Sequence, residues 1–483
     1  MNMTLYLLWL LAGTFYGFII GLIPVAGATT ALITIYSFID VFRADPYTLV
    51  IFTTAIVVSS TIGDSFSSVM LNVPGAGGSA ATMVDGFPLA KKGEGARALS
   101  AAITTSAING FIWGILVFSF LPFYASAVMY FGIPEQLAFM FLAFASVCFV
   151  SNHYWARSIF SLGLGIFLGL IGQDPHTGSA RLTGGWDYLG NGIQITPILA
   201  GILAFPELIE LYINKYETVK FEIKNYKEQV VQGIKDSFIH WRESLAGGAI
   251  GAFIGILPGI GGAIADWVAY SFSVGLNKNE TFGNGNIKGV IGCEGANNSQ
   301  KATGYIPTVL FGIPAAPFEV VIMSLFVLVG IELGTPSLLK DTMFFDTLQY
   351  SYQASLFLTY IISIITIRYI VKIFLIPIDI WFWSLVALIV WSCVQYTGYA
   401  EDYLILILCT LLGLSLRYLK MSRAAFIIGF VLSDRIEKLL YQYLTLFDWS
   451  DIIMRPVSVS LLLVTAAAMI YGIFYSKTEV NYT

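Results

Sequence analysis

Gly21-Leu-Ile-Pro24-Val-Ala-Gly27-Ala-Thr-Thr-Ala31 and Gly255-Ile-Leu-Pro258-Gly259-Ile-Gly261-Gly262-Ala-Ile-Ala265 are two versions of one segment, with Gly, Pro, Gly and Ala in the same places. About fifty residues after each comes a second proline-broken element, Asn72-Val-Pro74-Gly75-Ala-Gly77 in the first half and Gly312-Ile-Pro314-Ala-Ala-Pro317 in the second. The same order twice means an internal duplication, which we expect to be an inverted repeat. Proline removes a backbone donor and clashes with the preceding turn, while glycine permits otherwise strained dihedrals, so each element should interrupt its helix.

The surroundings of these segments are apolar. Of 483 residues, 57% are hydrophobic and 11% charged, with a mean hydropathy of +0.77, against roughly 25% charged residues in an ordinary soluble domain. A helix needs about 20 apolar residues to cross a bilayer. Runs free of Asp, Glu, Lys and Arg fill the chain, among them 1–39, 98–134, 347–367 and 456–476. Some hold two crossings or a re-entrant hairpin and others are too short to span unaided, which predicts about 10 to 13 membrane segments. The fold class expected is therefore all-α and polytopic, in two pseudo-symmetric halves.

Polar punctuation sets the divisions. Residues 215–243 alternate in charge sign and read as a solvated or interfacial cytoplasmic linker helix. On either side lie an N-terminal membrane half at 1–214, a second repeat at 244–345 and C-terminal membrane helices at 346–483. No Lys or Arg precedes the first apolar run, which favours a retained membrane segment over a cleaved signal peptide. Cys148, Cys293, Cys393 and Cys409 form no Cys-x-x-Cys pair, so neither a disulfide framework nor a metal site is expected. The net charge of -5 implies no nucleic-acid partner.

In hydrocarbon, a broken helix is tolerated only when buried in protein or lining a watery cavity. Matching broken segments in two halves are thus the best pointer to a transporter's central site. Enzyme readings fare worse. Thr61-Ile-Gly63-Asp64 lacks the first glycine of the intramembrane aspartyl pattern, and Gly77-Gly-Ser79-Ala80 lacks the last glycine of the serine type. His153, His176 and His240 form no His-Glu-x-x-His arrangement, and no Gly-Lys-Ser/Thr loop is present for ATP. We expect no enzyme activity, no cofactor and no metal. The alternatives kept beside the carrier are a channel and, further off, an intramembrane hydrolase.

Taken in order, these elements resemble the large membrane subunit of the tripartite tricarboxylate transporters. Gly21-Leu-Ile-Pro-Val-Ala-Gly27 is similar to that family's first signature, and Asn72-Val-Pro-Gly75 followed by Asp85-Gly-Phe-Pro88-Leu-Ala-Lys91-Lys92-Gly93-Glu94 to its second. Gly172-Gln-Asp174-Pro-His176-Thr177-Gly-Ser-Ala-Arg181-Leu-Thr183 resembles the family's central loop and Gly201-Ile-Leu-Ala-Phe-Pro-Glu207 the helix after it. Leu257 to Ala263, Glu294-Gly-Ala-Asn297-Asn298 and Phe311-Gly-Ile-Pro314 follow in the same order. The likeness runs from about residue 10 to residue 340; the C-terminal third agrees only in being hydrophobic. It implies a secondary carrier in the inner membrane that takes up small carboxylates with Na+ or H+. A small four-helix membrane subunit and an extracytoplasmic solute-binding protein are the implied partners. A stand-alone carrier of another solute is the alternative.

A broken helix offers free N–H groups and a positive dipole end at one stub, and carbonyl oxygens at the other. The first suits a carboxylate and the second a cation. The expected substrate site therefore comprises Gly21, Pro24, Gly27, Asn72, Pro74, Gly75, Gly77, Ser79, Pro258, Gly259, Gly261, Gly262, Asn297, Asn298, Lys301 and Pro314. Asp64, Ser65, Ser67, Asp266 and Glu294 are the candidates for a coupling cation. Four positions depart from the family's pattern: Asp64 and Asp266 stand where small or hydroxyl residues are more typical, Lys301 where small residues are usual, and Glu319 lies just past the second Pro element. An ionisable group in the bilayer costs about 2.5 to 3.5 kcal/mol and marks function by default. Lys301 is either a counter-ion for the substrate or a neutraliser of Asp64 or Asp266. Glu294 is either a cation ligand or an interfacial cap on the next helix. The 84–97 loop reads as a turn and cytoplasmic anchor, and Asp174, Thr177 and Arg181 as an ordered interfacial loop.

Overall fold

A computed structural model describes residues 3–75, 79–128, 131–150, 154–214, 225–259, 261–373, 377–395, 398–448 and 450–474. The described structure opens with α1 (Met3–Leu22), α2 (Gly27–Ile33) with its 3-10 continuation Thr34–Phe42, α3 (Pro46–Leu71), α4 (Ala80–Lys91) and α5 (Gly95–Val128). After α6 (Ile133–Ala145), α7 (Trp155–Gly169), α8 (Ile195–Leu199) and α9 (Phe205–Asn214), the linker folds as α10 (Tyr226–Ile239). Next come α11 (Trp241–Gly255), α12 (Gly261–Leu276), α13 (Ile287–Phe311), α14 (Pro317–Leu328) and α15 (Thr342–Ile373). Then come α16 (Ile378–Gln395), α17 (Glu401–Tyr418), α18 (Arg423–Leu446), α19 (Asp451–Met454) and α20 (Pro456–Phe474). Seven helices among the described residues are long and apolar enough to cross a membrane, and four shorter apolar helices accompany them.

The duplication reaches the backbone. Asn72 ends α3 in the left-handed region (φ 57°, ψ 35°), and Gly312 ends α13 likewise (φ 59°, ψ 38°). In the earlier breaks Val25 (φ 69°) and Gly259 (φ 75°) hold the same unusual conformation. Glycine adopts it freely, whereas a β-branched valine there is a strained exception.

Close helix contact explains the order of packing. α1 packs on α3 and α11 on α13, while α5 covers α13 and α15 covers α3. Gly13, Gly17 and Gly21 form one stripe on α1, and Gly247, Gly251 and Gly255 form its counterpart on α11. A Cβ on Gly17 would lie 2.6 Å from the Ile56 Cα, and one on Gly251 would lie 2.5 Å from the Ala296 Cα. Small residues at four-residue spacing let backbones approach where lipid offers no hydrophobic drive for association. α3 is the centre: Asp45 caps it by accepting from the Tyr47 N–H at 3.2 Å, Pro46 opens it, and every residue from Thr48 to Met70 is buried.

One expectation changes. The 84–97 stretch is helical to Lys91, with Gly86 and Pro88 inside α4, and turns only at residues 92–94. Asp85 holds it there: fully buried, it accepts from the N–H groups of Gly283, Gly285 and Asn286 (2.8–2.9 Å) and from the Tyr270 hydroxyl (3.0 Å). The all-α class expected from the sequence holds, and among the described residues the central loop carries one short ladder pairing Gly172–Gln173 with Ala180–Arg181. The first part of the charged linker, 215–224, lies outside the described residues. The rest, α10, packs on α5 through Arg97 and Asp236 (2.6 Å) and a Thr105–Ser237 hydroxyl bond (3.0 Å).

Candidate transport site

Where α3 and α13 approach each other, the ionisable side chains that apolar composition makes rare collect from four helices. Glu294 lies inside α13 with no exposed surface. Ser65 Oγ donates to its Oε1 at 2.9 Å, Thr82 Oγ1 to the same oxygen at 2.8 Å, and Asn297 Nδ2 to Oε2 at 3.1 Å. Three donors on one carboxylate are strong, charge-assisted bonds. They fasten α4, the stub after the second break, to both central helices. The alternative of an interfacial cap is thereby corrected: Glu294 sits mid-helix and caps nothing.

Asp64 on α3 is 5% exposed and Asp266 on α12 1%. Gln300 Nε2 donates to Asp266 Oδ2 at 3.3 Å. Asp64 Oδ1 and Asp266 Oδ1 accept from nothing in the described structure. The free Asp64 oxygen faces the second break: a Cβ on Gly75 would lie 2.7 Å from it and 2.6 Å from the Asp64 Cα, so only glycine fits. The first two breaks touch directly, since the Val25 N–H donates to the Pro74 carbonyl at 3.2 Å.

Lys301, half-buried on α13, stands 4.7 Å from the centre of the Phe318 ring. Among the described residues its ammonium forms no ion pair within 4.0 Å. Phe318 follows Pro317 at the start of α14, so Lys301 lies against the fourth break. The break itself is capped from within. Glu319 Oε2 accepts from the Ala315 and Ala316 N–H groups (2.5 and 3.1 Å) and from Thr308 Oγ1 (2.6 Å). In the first repeat the Gly75 N–H instead donates to Ser79 Oγ at 3.0 Å.

The other expected residues divide by place. Gly21 packs on the Ser60 backbone; Pro24 and Gly27 are buried at the first break, Pro258 at the third and Pro314 at the fourth. Gly259 lies against Val147 and Ala143, and α12, opened by Gly261 and Gly262, carries Asp266. Asn72 is exposed at the C-terminus of α3. Asn298 Nδ2 donates to Ser106 Oγ on α5 at 3.0 Å, and its carbonyl accepts from the Tyr352 hydroxyl at 2.8 Å, so it joins helices as packing glue. Ser67 Oγ donates to the Asp64 carbonyl of its own helix at 3.0 Å. Gly77 lies outside the described residues. Thr82, Gln300 and the capping role of Glu319 had not been read from sequence, although Pro317 at the first position and Glu319 at the third of α14 carry the signature of a helix start. An apolar crevice of about 290 Å³ lined by Phe141, Phe144, Cys148, Leu462 and Met469 lies elsewhere and holds none of these groups.

A model of the tripartite tricarboxylate transporter TctA family matches residues 7–428. The chain belongs to that family. The TctA match reaches well past residue 340, so the family extends into C-terminal helices that had seemed merely hydrophobic. Two Agrobacterium vitis proteins are similar. An uncharacterized 52.8 kDa protein in the TAR-I ttuC' 3' region is 28% identical over 474 residues, 97% of this chain and 93% of its own. An uncharacterized protein in the TAR-II ttuC' 3' region is 31% identical over 215 residues, 44% of this chain and 89% of its own. No solved structure matches. A TctA-family chain is the large subunit of a tripartite transporter and a multi-pass membrane protein.

Outside the membrane helices, the TctA central loop is held by Arg181, whose guanidinium bonds both Glu437 carboxylate oxygens (2.5 and 2.6 Å) and reaches Asp174 at 3.4 Å. The N–H groups of Thr177 and His176 hold the Asp174 carboxyl below its ordinary range.

Proposed function

We propose that this chain is the permease of a three-part system that accumulates a small carboxylate across the cytoplasmic membrane, driven by a Na+ or H+ gradient. The extracytoplasmic binding protein delivers the substrate and the small four-helix subunit completes the membrane complex. It acts as a carrier and catalyses no reaction. The observation that carries this reading is Lys301: its ammonium stands 4.7 Å from the Phe318 ring at the fourth break and, among the described residues, forms no ion pair, which makes it a ready counter-ion for an incoming carboxylate. Family membership supports it independently.

The test is uptake by proteoliposomes holding the whole complex, with citrate, malate and succinate offered under separate Na+ and H+ gradients. Accumulation against the substrate gradient is expected, and Lys301→Ala should abolish it while the protein remains inserted. Unchanged kinetics in that variant would remove the counter-ion role, and flux that only equilibrates would indicate a channel.

A further inference from the structure

The charged linker helix carries an apolar face that the fold leaves uncovered. Inward, Val230, Gly233, Asp236 and Ser237 of α10 are buried at three- and four-residue spacing, and Ser237 Oγ donates to the Ala101 carbonyl of α5 at 3.1 Å. Outward, Val231 and Phe238 stand seven residues apart on one side of the helix, and Trp241 and Leu245 continue the line into α11. All four are exposed, Phe238 by 62% and Trp241 by 54%. A helix whose outer side meets water turns polar residues to it, so this stripe requires an apolar medium. The same side runs on through Phe253 and Ile256, both exposed, within the charge-free stretch 244–265 whose composition suits a bilayer.

Basic side chains adjoin the stripe. Lys227 and Lys235 lie four residues to either side of Val231, and Arg242 lies four beyond Phe238. The Arg242 guanidinium stands 5.6 Å from the centre of the Trp241 ring, and tryptophan favours the depth of lipid headgroups. Among the described residues none of the three cations forms an ion pair. The acids of the same stretch are engaged inward: Asp236 with Arg97 at 2.6 Å, and the buried Glu243 with the Asn277 amide at 2.9 Å. Of the acids in α10 and α11, Glu228 alone is exposed. The face therefore combines apolar area with excess positive charge.

We infer that this face binds anionic phospholipid in the leaflet on the linker's side of the membrane, with acyl chains along Phe238, Trp241 and Leu245 and the headgroup on Lys235 and Arg242. These two cations are seven residues apart, roughly 10 Å along the helix, so their long side chains can converge on one headgroup while their stems lie on the apolar stripe. Lys227, about 12 Å further out, adds to the positive field. A zwitterionic headgroup brings its own cation into that field, which selects for a lipid of net negative charge. The rival occupant of the same face is the small membrane subunit.

The test places an environment-sensitive fluorophore at Phe238→Cys of the full chain in nanodiscs; Cys148, Cys293, Cys393 and Cys409 are all buried, so the label goes to position 238. Brominated lipid should quench it and aqueous iodide should not. Brominated phosphatidylglycerol should quench more than an equal fraction of brominated phosphatidylcholine. Lys235→Gln and Arg242→Gln should each cut that preference about fivefold, the equivalent of the roughly 1 kcal/mol that a basic residue gains near an anionic surface. Lys438→Gln, a control on α18, should leave it unchanged. Quenching by iodide instead of lipid would overturn the inference, as would equal quenching by the two lipids or a preference unmoved by both glutamine variants. Loss of lipid quenching once the small subunit is assembled would hand the face to that subunit and overturn it too. The comparison of the two lipids needs no change beyond the labelled position, so it decides even where a glutamine variant fails to fold.

Discussion

Ser79 and Glu319 occupy one position of the repeat, each five residues after its proline, and each accepts a hydrogen bond from the N–H group four residues before it. The partners are Gly75 and Ala315, and the bonds are 3.0 and 2.5 Å. A hydroxyl in one half and a carboxylate in the other make chemically unequal sites from equal backbones. The positive end of α14 is already occupied by the protein's own anion, whereas α4 begins at an uncharged serine. The carboxylate of the first half lies on α3 instead, where Asp64 faces Gly75 and the corresponding α13 residue is Gly304, itself packed on Glu319.

Removing the internal cap should therefore destabilise the fourth break. Glu319→Ala leaves the Ala315 and Ala316 N–H groups without an acceptor and is expected to cost about 1–3 kcal/mol. Ser79→Ala, which leaves the Gly75 N–H without this acceptor, should cost about 1 kcal/mol. Thermal unfolding in detergent, monitored through tryptophan fluorescence, measures both; an Glu319→Ala midpoint equal to wild type would refute the capping role.

Glu294 is a structural joint. Glu294→Ala orphans three buried donors, Ser65, Thr82 and Asn297, and should reduce the yield of folded protein more than Glu294→Gln, which keeps one acceptor oxygen in place. Size-exclusion profiles of the two variants give the comparison, and equal yields would argue against the joint.

The glycine stripes predict steric intolerance at particular positions. Gly17→Val and Gly251→Val drive a branched side chain into the backbone of α3 and α13, and neither should give a monodisperse protein. Gly163 and Gly275, where an added Cβ meets nothing within 4 Å, are the controls. Their alanine variants should express normally and gain about 0.5–1 kcal/mol of helix stability. A wild-type profile for Gly17→Val would mean that α1 does not lie so close to α3.

The central loop should respond to acid. Asp174 binds protons less readily in the folded loop than in an open chain, because the Thr177 and His176 N–H groups and Arg181 favour its charged form. A depressed carboxyl stabilises the fold at pH above the ordinary carboxylate value of about 4, and that contribution disappears as pH falls through the lowered value. The protection of residues 172–183 against hydrogen exchange, taken relative to the intrinsic rate at each pH, should fall over that acidic window, and Arg181→Ala should show lower protection already at neutral pH. Protection independent of pH below 5 would contradict the assignment.

Much of this protein is determined locally and is legible without a structure. Sustained hydrophobicity selects helices in a membrane because every backbone group must be satisfied within the segment. Gly-Leu-Ile-Pro and Asn-Val-Pro mark their breaks because glycine and proline act on the backbone wherever they occur. The duplication is visible for the same reason. Tertiary structure alone decided which side chains meet. α3 is buried on all sides from Thr48 to Met70, so it has no polar face whose period could indicate which residues look toward α13. Asp64, Asp266, Glu294 and Lys301 come together only through the depth and rotation at which the glycine stripes seat the helices. Whether a carboxylate is saturated, as Glu294 is, or left with a bare oxygen, as Asp64 is, depends on donors contributed by helices remote in sequence.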